Sequence, residues 1–223
     1  MMKWQLDFGE SHLKISSDLD AKKKSLEKLV ELYNDLLSYI NSNPLFKSSY
    51  EPVKVQNDAP AIVKSMGDAA VRTGVGPMAA VAGAISEYLG EYIVSLGALD
   101  VVVDNGGDIF IKTTTPKKIG IYAGPSVLSE KMVFLVNPED TPLGVCTSSA
   151  SVGHSVSMGC ADSVTVTHKS AAHADAFATS IANNIHSVDD LKNFDTATLP
   201  SDIGVLAVKD DYILAFGKLP NLL

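Results

Sequence analysis

Ser163-Val164-Thr165-Val166-Thr167 leads through His168-Lys169-Ser170 into Ala171-Ala172-His173-Ala174-Asp175-Ala176-Phe177-Ala178-Thr179. The first five residues alternate hydroxyl and valine, the period of two that gives a strand two different faces. The second run is dominated by alanine, the strongest helix former, and predicts a helix over about 171–186. Asp175 and Thr179 stand at i and i+4, so their oxygens share one face of that helix. Their neighbours are mostly alanine, which a solvated face would not explain. Carboxylate and hydroxyl oxygens are ligands that magnesium prefers. The competing reading is that Thr179 bonds its own backbone and Asp175 makes an internal hydrogen bond.

Upstream, Asp100-Val101-Val102-Val103 reads as a buried strand ending in Asp104-Asn105-Gly106-Gly107-Asp108, and Ile109-Phe110-Ile111 resumes as another. Asn-Gly is a strong hairpin signal. A glycine pair also lets the backbone approach a ligand with its amides aimed at phosphate. The spacing is not GxGxxG and no helix starts there, so a Rossmann site is a poor fit. Cys146-Thr147-Ser148-Ser149-Ala150-Ser151, followed by Gly153-His154, places a run of hydroxyls after a strand at 144–147. Such a run can hold phosphate or sugar oxygens. Cysteine and histidine together also invite a nucleophile-and-base reading, set against the cysteine being a small buried apolar residue. Gly74-Val75-Gly76-Pro77 opens a helix over about 78–96 that is rich in alanine and glycine, so a neighbour or ligand must approach it closely. That opening is either an anion site at a helix amino terminus or an ordinary break between helices.

The remaining chain supplies a framework. Residues 4–16 predict a hairpin around Gly9-Glu10-Ser11. Asp18 or Asp20 caps a long helix with Leu26, Leu29, Val30, Tyr33, Leu36, Leu37 and Ile40 on one face, stopped by Asn41-Ser42-Asn43-Pro44. Ala59-Pro60 opens a second helix with Ile62, Val63, Met66, Ala69 and Ala70 inward. Further strands are expected at 118–123 and 132–136, and a closing hairpin at 203–208 and 212–216. With helices over 18–97 and strands over 98–223, the expectation is an α+β fold: one domain, 1–223, with a mixed or antiparallel sheet packed with several helices.

The 223 residues are 46% hydrophobic and 20% charged, enough to build a core and too apolar for disorder. A net charge of −8 argues against nucleic acid and anionic membrane surfaces as partners. The uncharged stretch 73–86 is shorter than the ~20 residues a membrane span needs. The amino-terminal MMKWQLDFGESHLKI carries acidic residues where a signal peptide would be apolar, so a cytoplasmic protein is expected. Two cysteines, Cys146 and Cys160, build neither a disulfide framework nor a multi-cysteine zinc site.

In order along the chain, these segments resemble the ApbE-like superfamily, whose best-known members are FAD:protein FMN transferases. Asn105-Gly106-Gly107-Asp108-Ile109 is similar to that family's Gly-Gly-Glu-Ile, and Thr147-Ser148-Ser149 to its Thr-Ser-Gly. Ser163-Val164-Thr165-Val166 with Ala174-Asp175-Ala176-Phe177-Ala178-Thr179 is similar to its Ser-Val-Thr-Val and Ala-Asp-Ala-Leu-Ala-Thr. Still closer is the likeness to a compact cytoplasmic branch marked by GVGPMAAVAGAI and NGGDI segments.

The resemblance implies that Asp175 and Thr179 bind Mg2+, with a backbone carbonyl from 76–80. It implies that Gly106, Gly107, Asp108, Thr147, Ser148 and Ser149 lie around FAD or FMN. Where the transferases carry His-x-x-Asp-Pro-x-x-Gly, this chain has Val152-Gly153-His154-Ser155, which makes His154 the nearest candidate catalytic acid or base. The lysine that precedes the small-residue helix in the family is replaced by Pro77-Met78-Ala79. The implied function is a magnesium-dependent enzyme acting on a flavin nucleotide or similar pyrophosphate, by FMN transfer or hydrolysis-like chemistry. The alternative is a flavin- or nucleotide-binding protein that has lost transferase activity. The implied partner is a small-molecule nucleotide, and a homodimer is compatible with either reading.

Overall fold

Met2–Phe8 (β1) and Ser11–Ser17 (β2) pair antiparallel, as the alternation requires. This computed structural model describes residues 1–124, 126, 129, 131–149 and 159–223, and in it that hairpin forms one edge of an eight-stranded sheet. The sheet continues through β3 (Val101–Asn105), β4 (Asp108–Lys112), β7 (Leu143–Ser148), β8 (Ser163–His168), β9 (Gly204–Lys209) and β10 (Tyr212–Gly217). Every neighbouring pair is antiparallel. Between β4 and β7 the chain leaves the sheet to form β5 (Lys117–Ile121) and β6 (Met132–Val136), which pair in a second sheet with β11 (Asn221–Leu222).

Helices cover one face of the large sheet. They are α1 (Lys22–Ser42), the short α2 (Leu45–Ser48), α3 (Ala61–Thr73), α4 (Val81–Ser95), α5 (Ala171–Asn183) and the short α6 (Val188–Lys192). Strand alternation then sorts the core into layers. Val101 and Val103 join the helices α1, α3 and α4, while Phe110, Cys146, Val164 and Val166 pack under α5. On the opposite face Ile111, Val145, Leu206 and Val208 meet Ile121 and Phe134 of the small sheet. The architecture is α+β, and no helix among the described residues is long and apolar enough to cross a membrane.

Two local expectations change. The buried stripe of α1 is Ser25, Leu29, Leu32 and Leu36, whereas Leu26 and Leu37 are 41% and 50% exposed. An excess of leucines hid the true face, which the packing of α1 against α3 and α4 selects. Asp18 does not cap α1. Its carboxylate accepts the Leu99 and Asp100 amides, each at 3.1 Å, and ties the end of β2 to the start of β3. Asp20 takes the Lys22 amide at 3.3 Å.

The small residues of α4 and α5 have a steric cause. A Cβ on Gly83 would fall on the Ala171 carbonyl oxygen and within 2.8 Å of the Asp175 Cβ. A Cβ on Gly144 would lie 2.7 Å from the Ala171 amide nitrogen. The first turn of α5 is thus wedged between α4 and β7 with no room for a methyl group.

Candidate functional site

Asn105 and Asp108 face each other across a two-residue turn, and both glycines between them have positive φ, 69° at Gly106 and 106° at Gly107. That is the geometry of a primed hairpin turn, which glycine adopts without strain. The Gly107 amide bonds Asp104 Oδ1 at 2.9 Å. Beyond the turn Asp108 points with Phe110 to the helix side, because Ile109 and Ile111 occupy the other face. The Ile109–Val145 pairing sets Asp108 beside Cys146, where the Cys146 side chain and the Thr147 amide favour its charged form.

Above this point lies the first turn of α5. The Cys146 Sγ is 3.3 Å from the Ala171 carbonyl oxygen. Asp175, one turn along, sends its carboxylate to the start of α4, accepting the Gly83 amide at 2.9 Å and the Ala82 amide as well. Glu87 of α4 returns the arrangement, with Oε2 accepting the Ala172 amide at 2.9 Å and the Ser170 hydroxyl at 2.7 Å. Each helix supplies the carboxylate that satisfies the free amides of the other, where the helix dipole favours negative charge. Asn105 Nδ2 adds a bond to the Ala82 carbonyl at 3.3 Å and joins the β3–β4 turn to the same corner.

The electrostatics are those of a buried acidic centre. Burial, helped by the charge of Asp104, pushes Asp108 up to about 7 against the opposing effect of Cys146 and Thr147. Burial and then Asp108 push Asp175 well above the usual carboxylate range, against the Gly83 and Ala82 amides. Burial first, then both carboxyls, raise the Cys146 thiol as well. A thiol held protonated and inaccessible is not a nucleophile. Alkylation of the folded protein with iodoacetamide is therefore expected to label the exposed Cys160 and leave Cys146 intact, as peptide mass analysis would read; rapid labelling of Cys146 would contradict this geometry.

The expected site residues divide between the two faces of the sheet. Asp108, Asp175 and Thr179 lie on the helix side, and alternation from Cys146 puts Ser148 there too. Asp175, Thr179 and Ser148 are 9%, 7% and 6% exposed. Thr147 lies on the opposite face, its hydroxyl 2.8 Å from that of Thr165. With Gly106, Gly107, Ile109 and Tyr122 it lines a cavity of about 290 Å3 between the sheets. The two groups meet where the glycine turn and the end of β7 adjoin. Ser149 follows β7 directly, and His154 lies outside the described residues. Gly74 caps α3 with φ of 75° and its amide on the Ala70 carbonyl, while Gly76 packs on the Ser49 carbonyl. Gly74 to Pro77 is accordingly a tightly packed break between helices.

Glu87 and the amides of Ala82 and Gly83 escaped the sequence reading. Their one local signal is a glycine inside an alanine-rich helix, which costs stability unless something must come close. A second cavity, of about 240 Å3, lies along α5 beside Arg72 and Phe177. Its arginine is held by Asp202 through two bonds of 2.6 and 2.8 Å.

A family model described as AbpE bacteria matches residues 1–210. The chain belongs to that ApbE-like family. A UPF0280 protein of Methanococcus aeolicus is 39% identical over 100% of this chain and 92% of its own length. The ApbE fold is shared with the flavin transferase ApbE from Vibrio cholerae, at TM-score 0.65 and 13% identity, covering 96% of each chain. The ApbE protein of Thermotoga maritima superposes at TM-score 0.53 and 13% identity, over 100% of this chain and 96% of that one.

Proposed function

We propose that residues 1–223 form one ApbE-like domain that acts in the cytoplasm as a magnesium-dependent enzyme on a flavin nucleotide or similar pyrophosphate. The observation that supports this reading is the corner where Asp175 of α5, buried with Thr179 one turn along, takes the Gly83 amide while Asn105, next to the Gly106-Gly107 turn, bonds the adjacent Ala82 carbonyl. All the oxygens offered there suit a hard cation: carboxylate, hydroxyl and backbone carbonyl. Among the described residues no group of three or more His, Cys, Asp or Glu side chains is placed to hold a metal. Such a poor carboxylate count fits magnesium, which keeps few protein ligands and takes the rest from water and substrate phosphates. When bound, Mg2+ would neutralise the pyrophosphate and polarise the bond to be broken.

The chain's own residues would do the positioning. The backbone of the Gly106-Gly107 turn can be approached closely because neither residue carries a Cβ, with the Gly107 amide already held by Asp104. The cavity with Tyr122, Ile109 and Thr147 is of a size and polarity for part of a planar ring system and its polar rim. The flavin transferase activity named for the Vibrio cholerae protein supports FAD as the first ligand to test. The reading without turnover, a binder that has lost the chemistry, is favoured by the missing His-x-x-Asp-Pro stretch.

Calorimetric and thermal-shift titration with FAD, FMN and ATP, with and without Mg2+, tests the proposal. It requires FAD or a related pyrophosphate to bind more tightly with Mg2+ present. Equal binding with EDTA, or no binding of any of them, would sink it. Release of FMN or AMP from bound FAD separates the enzyme from the binder.

A further inference from the structure

The Asp108 carboxyl has an oxygen that nothing in the surrounding protein satisfies. Its Oδ1 is buried and has no hydrogen-bond partner among the described residues. The nearby Cys146 thiol does not satisfy it, because its one proton goes to the Ala171 carbonyl at 3.3 Å. Two residues along β7 from Cys146, the Ser148 hydroxyl is buried and likewise has no partner. Both face the underside of α5, where Asp175 uses Oδ2 for the Gly83 amide and Thr179 makes no side-chain hydrogen bond among the described residues. Beneath α5 the sheet thus presents two buried oxygens without partners, close enough to Asp175 for the two carboxyls to act on each other. Leaving buried polar atoms unsatisfied is costly, and for carboxylates more so. A hard cation satisfies oxygens of this kind together.

We propose that Asp108 is a second carboxylate ligand of the cation site, so that Asp108 from the sheet and Asp175 from the helix close on one divalent ion. Ser148 and Thr179 supply neutral oxygens to it. This rests on the reading of Asp175 and Thr179 as the metal corner and adds one consequence. Two carboxylates balance a divalent charge by themselves, so the ion is held before any nucleotide arrives. A corner with one carboxylate depends on the substrate's phosphates for the remaining charge.

The test uses Mn2+ as the probe, with no nucleotide present, followed by electron paramagnetic resonance of the free ion and by calorimetry. The native chain is expected to bind a single Mn2+. Asp108→Asn and Asp175→Asn, which keep shape and remove charge, are each expected to weaken it by at least ~10-fold. Circular dichroism checks the fold of each variant, with Asp108→Ser read in place of an unfolded Asp108→Asn. If Asp175→Asn weakens binding and Asp108→Asn does not, Asp108 is no ligand and the metal corner stands. If the native chain takes Mn2+ only when FAD is added, the two-carboxylate site is overturned while the corner survives. If the native chain binds Mn2+ and neither variant alters it, both readings fall.

Discussion

Asp175→Ala is expected to abolish the Mg2+-dependent part of FAD affinity, a loss of at least ~100-fold, while leaving a folded protein. Removal of groups that merely orient metal ligands already costs about 10–100-fold in metal affinity, and a direct ligand should exceed that. The fold should persist because two effects of the substitution oppose each other. Losing the carboxylate strips the Gly83 and Ala82 amides of their acceptor, a capping loss of about 1 kcal/mol. Removing it also takes away a buried acidic group that Asp108 disfavours in its charged form. Calorimetry with FAD in Mg2+ and in EDTA, run on native and variant chains, reads the outcome. A variant whose affinity still responds to Mg2+ as the native chain does would show that the carboxylate is purely a helix cap.

Gly83→Ala should be the more damaging change to stability, against the ordinary expectation for a helix interior. By propensity alone, alanine gains about 1 kcal/mol over glycine there. At this position the new methyl falls on the Ala171 carbonyl oxygen and within 2.8 Å of the Asp175 Cβ. Those atoms belong to the packed first turn of α5, itself wedged against Gly144. Overpacking of this kind costs about 1–3 kcal/mol and sometimes more. A net loss of about 2 kcal/mol lowers the melting temperature by roughly 4–8 °C for a chain of this length. Displacing α5 also carries Asp175 away from Asp108, so metal-dependent binding should weaken with it. Gly120→Ala, where no atom lies within 4 Å of the new methyl, is the control and should melt near the native temperature. A Gly83→Ala protein as stable as native would mean that the helices can separate freely.

Both predictions turn on a corner that was legible only in pieces. Asp175 and Thr179 stood out because a carboxylate and a hydroxyl at helical spacing amid alanines have no simple packing reason. The Asn105-Gly106-Gly107-Asp108 turn stood out because the hairpin it forms needs positive φ twice. What each faces was not legible. Asp108 reads as a residue near the flavin, and its neighbour Cys146 is known only once β4 pairs with β7, a pairing that skips the 30 residues from 113 to 142, which carry β5 and β6. Thr147 and Ser148 read as one hydroxyl pair, yet the pleat sends them to opposite faces, one toward the cavity and the other toward α5.

Sequence alone determined the local elements: the amino-terminal hairpin, the breaks at Asn43-Pro44 and Gly74, the strand at 163–168 and the helix that follows it. These follow from periodicity and from backbone preferences of single residues, forces that act within a turn or two of the chain. Tertiary structure alone decided which leucines of α1 are buried, that Asp18 latches onto β3, and that Glu87 and Asp175 exchange caps between α4 and α5. Those partners are separated by 81 to 92 residues in sequence, and only the stacking of the helices on a particular strand order brings their charges and amides within bonding distance.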